Sequence, residues 1–118
     1  LTLAFLGDAV FELLVREYIT SSGSMPVNKL HQRAVKIVCA SSQCKAVEFL
    51  KEYWTEEEMD IFKRGRNATG NHVPKSSHPK EYRAATGLET LFGYLYLKGD
   101  IERINELFLL MINNMDFS

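Results

Sequence analysis

Apolar residues along this chain recur at three- and four-residue intervals instead of alternating, the pattern of helices that bury one face. Leu6, Val10, Leu13 and Leu14 form the first stripe and predict a helix over about residues 1–20. Ser21-Ser22-Gly23-Ser24 ends it, and Pro26 bars its continuation. A second helix is expected from about Asn28, as N-cap, to about Ala40. Ser41 or Ser42 is the expected cap of a third, which carries Ala46, Val47, Phe49 and Leu50. Thr55-Glu56-Glu57-Glu58 has capping-box spacing and opens a fourth, fading near Arg66. Residues 67–78 hold Gly, Asn, Ser and Pro and read as a loop. Pro79 suits the first turn of a long fifth helix reaching about Lys98. Gly99 stops it, and Asp100 caps a sixth containing Ile101, Ile104, Leu107, Phe108 and Met111. The expectation is an all-α fold of six or seven helices in one domain spanning 1–118. The chain begins at Leu1 inside an apolar stretch, which leaves room for missing N-terminal residues.

Composition narrows the class. A chain of 118 residues, 46% hydrophobic, can bury one core without metal or disulfide staples. No apolar run approaches the length of a spanning helix. Cys39 and Cys44 are too few for a disulfide framework or a zinc site and read as buried or free thiols. The net charge of −1 points away from a nucleic-acid binder until the charges are placed along the chain. Residues 29–45 then show Lys29, Arg33, Lys36 and Lys45 with no acid. Residues 63–83 show Lys63, Arg64, Arg66, Lys75, Lys80 and Arg83 against Glu81 alone. Six acids lie between these segments, from Glu48 to Asp60. Neutrality therefore excludes only a uniformly basic surface. The loop-forming basic stretch FKRGRNATGNHVPK suits a phosphate backbone, because its amides and side chains can both donate. Solvated charge explains it about equally well, and explains the helix 29–45 better.

Carboxylates stand out in two apolar segments. Asp8 and Glu12 lie in LTLAFLGDAVFELLV, which has no basic residue; Glu89 is the one charged group in AATGLETLFGYLYL. Burying an unpaired carboxylate is costly, so such groups pair, protonate or bind metal. Two readings stay open from the pattern: cross-helix ion pairs with distant Arg or Lys, or convergence of Asp8 and Glu89 on one Mg²⁺ or Mn²⁺. Gly7, Gly87 and Gly93 flank these acids, and glycine inside a helix needs a reason such as close backbone approach.

These segments resemble a known family. LTLAFLGDAVFELLV resembles the signature helix of the ribonuclease III nuclease domain, with Phe-Leu-Gly-Asp-Ala at 5–9. ATGLETLFGYLYL resembles that domain's second carboxylate helix. Together with LHQRAVKIVCASSQ and FKRGRNA, they resemble the short bacterial branch, Mini-ribonuclease III, which lacks a double-stranded-RNA-binding domain. The resemblance implies a cytoplasmic homodimer, not membrane-bound, that cleaves double-stranded RNA with Mg²⁺, or Mn²⁺ in its place, in maturing the large ribosomal RNA precursor. It implies Asp8 and Glu89 as catalytic, metal-binding carboxylates, with Glu12 as a group of the outer shell. Larger ribonuclease III enzymes carry acids where this chain has Ala4 and Thr86, so a four-carboxylate cage is not implied. Lys63, Arg64, Arg66, Asn67, Lys75 and Arg83 are the expected RNA contacts, with the loop histidines His72 and His78 solvated or near RNA.

Other signals are set aside. His31 reads as a packing or dimer-surface residue, Tyr94–Leu97 as core and dimer surface, and Trp54 as a core plug. Asn67-Ala68-Thr69 matches a glycosylation triplet by chance, and Gly65 and Gly70 lack the ending of a nucleotide loop. A catalytically silent duplex-RNA binder and a helical protein–protein adaptor remain alternatives. Metal-dependent cleavage separates the first, and affinity for duplex RNA the second.

Overall fold

The computed structural model describes residues 1–68 and 73–117. Among these, six α-helices and one short 3₁₀ turn make up the regular structure: α1 Thr2–Thr20, α2 Val27–Val38, α3 Ala40–Leu50, the 3₁₀ turn Lys51–Tyr53, α4 Glu56–Ala68, α5 Pro79–Lys98 and α6 Ile101–Asn114. The all-α expectation holds, and no described helix is long and apolar enough to cross a membrane.

α5 is the axis of the molecule. Ala84 to Leu88 and Thr90 to Gly93 are buried without a break, so neighbours cover it on nearly every side. α1, α3 and α4 pack directly on it. The core joins Phe11, Val15 and Ile19 of α1 to Leu88, Leu91, Phe92 and Leu95 of α5, closed by Ile104, Leu107, Phe108 and Met111 of α6. Phe11 stands at its centre, 5.6 Å from the Phe92 ring and 6.1 Å from Phe108 between centroids.

Small residues set how closely α1 and α5 cross. A Cβ on Gly7 would lie 1.6 Å from the Glu89 carbonyl oxygen, and one on Gly93 would lie 2.1 Å from the Leu3 carbonyl oxygen. The two backbones touch, and only glycine permits it. The residue after Gly7 is Asp8, so this crossing carries one acid on each helix to the same place.

Local signals explain most boundaries. Pro79 opens α5, and Gly99 closes it at φ 82°, in the left-handed region. Asp100 accepts the Arg103 N–H and caps α6. The capping box forms as expected: the Thr55 N–H donates to Glu58 Oε1 at 2.9 Å, and the Glu58 N–H donates to Thr55 Oγ1 at 3.1 Å. Three expectations shift. α2 begins at Val27 after Pro26, so Asn28 is not the cap. α3 begins at Ala40 with Cys39 in the cap position, so neither Ser41 nor Ser42 caps it; the Ser42 hydroxyl donates to the Lys36 carbonyl instead. α4 runs two residues past Arg66, to Ala68. Trp54 is half-buried against the core and packs tilted on Phe62, 5.0 Å between centroids.

Candidate active site

Asp8 and Glu89 come from helices about eighty residues apart in sequence, and their carboxyls lie within hydrogen-bonding reach of each other. Asp8 is exposed to solvent, while Glu89 is half-buried. None of the ion pairs among the described residues involves either acid. Two carboxylates held together without a cation repel each other, and burial adds to the strain. Desolvation, followed by the Asp8 charge, pushes the Glu89 carboxyl up to about 7. The ion-pair reading of Asp8 and Glu89 is thus overturned.

Glu12, one turn beyond Asp8, faces Arg16 at 3.5 Å, although its charge still reaches Glu89. Among the described residues no trio of His, Cys, Asp and Glu converges, so the four-carboxylate cage doubted from Ala4 and Thr86 is absent there.

One contact was not legible in the sequence. Gln43, in the first turns of α3, is only 3% exposed. Its amide nitrogen donates to the Val38 carbonyl at 2.9 Å and lies 3.4 Å from Glu89 Oε2. A glutamine among Ser, Cys and Lys carries no periodic signal, and its partner stands 46 positions away.

The basic candidates divide into groups. Lys63 and Arg66 line a cleft of about 320 Å³ between α3, α4 and α5. Lys51 and Lys80, which were not among the expected RNA contacts, share that cleft, which is floored by Val47, Phe62 and Ala84. The Arg66 guanidinium stands 5.6 Å over the Phe62 ring, and its Nε donates to Asn67 Oδ1. Arg64 is turned to Asp60 at 3.1 Å, an exposed pair along α4. Lys75 is exposed, and Arg83 is half-buried on α5; neither lines the cleft. His72, Thr69 and Gly70 lie outside the described residues. His78 precedes α5 and is exposed.

Comparison with known proteins shows the family and the fold. The ribonuclease III domain model matches residues 1–100. The chain is 49% identical over 106 residues to the Mini-ribonuclease 3 of Symbiobacterium thermophilum, covering 90% of this chain and 82% of that protein. It is 44% identical over 114 residues to the Mini-ribonuclease 3 of Clostridium tetani, covering 96% and 76%. The crystal structure of protein FN1578 from Fusobacterium nucleatum superposes with a TM-score of 0.85 at 32% identity, covering 94% of this chain and 88% of that one. The chain belongs to the ribonuclease III family, alongside its Mini-ribonuclease 3 members.

Proposed function

We propose that this chain is a divalent-metal-dependent endoribonuclease specific for double-stranded RNA, with Asp8 and Glu89 as its metal-binding, catalytic pair. The observation that carries the reading is the convergence of two acids without a cation, one half-buried and one open to solvent. A fold gains nothing from such a pair unless something positive joins it. Oxygen donors suit a hard ion, and two carboxylates are enough for Mg²⁺, which keeps several waters and takes further oxygens from substrate phosphate. Mn²⁺ suits the same donors. The buried Gln43 Oε1, which has no hydrogen-bond partner among the described residues, adds a neutral oxygen close by.

Asp8 and Glu89 would hold Mg²⁺, which would supply positive charge for the scissile phosphate and the leaving 3′-oxygen and lower the pKa of an attacking water. The chain's own residues do the rest. Asp8 faces solvent, where a phosphodiester can approach. Glu89 is held from behind by α3, through Gln43. Lys63, Arg66, Lys75 and Arg83, with Arg64 and Asn67 at the edge, face the phosphates of an A-form duplex, which is read through shape and backbone and not through bases. Hydrolysis leaves 5′-phosphate and 3′-hydroxyl ends. Glu12 is an outer group that tunes the field at Glu89.

Exposed apolar side chains support a homodimer. Phe5 is 85% exposed one turn before Asp8, and Leu97 is 67% exposed near the end of α5. A second copy of the chain would cover them and set two sites on one duplex, each cutting one strand. We place the enzyme in the cytoplasm, as one nuclease domain over 1–118, acting on the large ribosomal RNA precursor. The direct test is incubation with a labelled duplex and with its separated strands. Rapid Mg²⁺-dependent cutting of the duplex, with 5′-phosphate products, is expected; equal cutting of single strands contradicts the assignment.

A further inference from the structure

Gln43 is buried on a helix that contributes no acid to the site, and its burial needs an explanation. Its Nε2 caps the Val38 carbonyl at the end of α2 at 2.9 Å, but a cap alone does not require the amide to stand against Glu89 as well, 3.4 Å from Oε2. The Val38 carbonyl, 2.9 Å from Nε2, can only accept, and Glu89 Oε2 lies 3.4 Å from the same nitrogen. The amide orientation is therefore fixed, with nitrogen toward them. Among the described residues Oε1 is left buried without a hydrogen-bond partner, an arrangement that an apolar side chain of the same size would avoid. The residue type also fits. A lysine or arginine here would neutralise Glu89, whereas an amide holds the carboxylate in place and leaves its charge for an ion.

We infer that Gln43 is a positioning residue for the ion site: its Nε2 ties Glu89 to the α2–α3 junction, and its Oε1 accepts a hydrogen bond from the hydration shell of the bound divalent ion. The inference rests on the reading of Asp8 and Glu89 as that site. The two atoms of one amide are about 2.3 Å apart, so Oε1 stays near the carboxylate that Nε2 contacts. Divalent ions such as Mg²⁺ keep part of their water, which supplies the donor. Partners of metal-binding carboxylates typically change metal affinity tenfold to a hundredfold when removed.

Gln32 and Gln43 are the only glutamines in the chain, and Gln32 is exposed. Glutamine-selective ¹⁵N labelling of the unaltered protein therefore gives two side-chain amide pairs to follow during a Mg²⁺ titration without RNA. The Gln43 pair should shift saturably while the Gln32 pair stays still, and the shift should vanish in Asp8→Asn. In parallel, Mn²⁺ alone is titrated into the unaltered protein and Gln43→Met, with free Mn²⁺ read by electron paramagnetic resonance and folding by circular dichroism. Folded Gln43→Met should bind Mn²⁺ about tenfold more weakly. A Gln43 pair that stays still while the protein binds metal overturns the inference. So does a folded Gln43→Met with unchanged Mn²⁺ affinity, the result of a merely structural role. Should that variant not fold, the titration of the unaltered protein decides. If the unaltered protein binds no Mn²⁺, the ion-site reading itself fails, which is a separate result.

Discussion

Glu89→Gln should make the metal-free protein more stable at pH 8 while lowering duplex cleavage more than about a hundredfold. The stability gain follows from linkage. In the fold, burial and Asp8 raise the Glu89 carboxyl to about 7, from an ordinary 4.5. A group raised in this way contributes its stability fully below pH 4.5 and loses it as pH climbs through 7. The loss is on the order of 3 kcal/mol for such a shift. The unaltered metal-free protein should therefore melt at lower temperature at pH 8 than at pH 5.5. The substitution flattens that slope, since the new amide would accept from Gln43 and donate to Asp8 in place of repelling it. Melts followed by circular dichroism in chelator, from pH 5 to 8, measure this directly. A slope unchanged by Glu89→Gln would mean that the strain lies elsewhere. The acid side behaves oppositely through Glu58. Burial alone would raise its carboxyl, but hydrogen bonds from Arg103 and the Thr55 N–H more than reverse this. Its contribution is therefore present above its ordinary value and lost on acidification.

Gly7→Ala should cost about 3 kcal/mol or more, enough to prevent cooperative folding in a domain of ordinary marginal stability. The new methyl meets the Glu89 carbonyl at 1.6 Å and the Gly93 nitrogen at 2.9 Å, and backbone cannot swing aside as a side chain can. α1 and α5 would have to separate, loosening Phe11 from Phe92 and Asp8 from Glu89. Gly99→Ala makes a useful contrast. Its φ of 82° disfavours alanine, yet nothing lies within 4 Å of the added methyl, so its cost should stay near about 1 kcal/mol. Urea unfolding of the two variants separates steric from conformational cost; equal losses would refute the backbone contact.

Much of the fold was legible because its punctuation is local. Pro79, Gly99 and Asp100 act within one turn of themselves, so the limits of α5 and the start of α6 agree with the sequence reading. The caps of α2 and α3 did not, because Pro26 and the extended Cys39 start those helices without any side-chain bond. The acidic stretch hid another feature. In Glu56-Glu57-Glu58 the capping box marks Glu58 locally, but not that it alone is buried and held by Arg103 at 2.8 Å from 45 positions away. The acid pair was visible as carboxylates lacking local cations, which is a property of single helices. Its closeness depends on the Gly7–Gly93 crossing, and Gln43 reaches it from a third helix. Those facts belong to the packing and leave no trace in periodicity.

The central claim is that Asp8 and Glu89 hold the ion that cuts duplex RNA. The most direct measurement compares the unaltered protein with Asp8→Asn on one labelled duplex, scoring binding by gel shift and cleavage with Mg²⁺ and with chelator. Both proteins should bind the duplex, only the unaltered one should cut it, and it should cut only with Mg²⁺. Cleavage by Asp8→Asn at the unaltered rate, or cleavage by the unaltered protein in chelator, would contradict the claim.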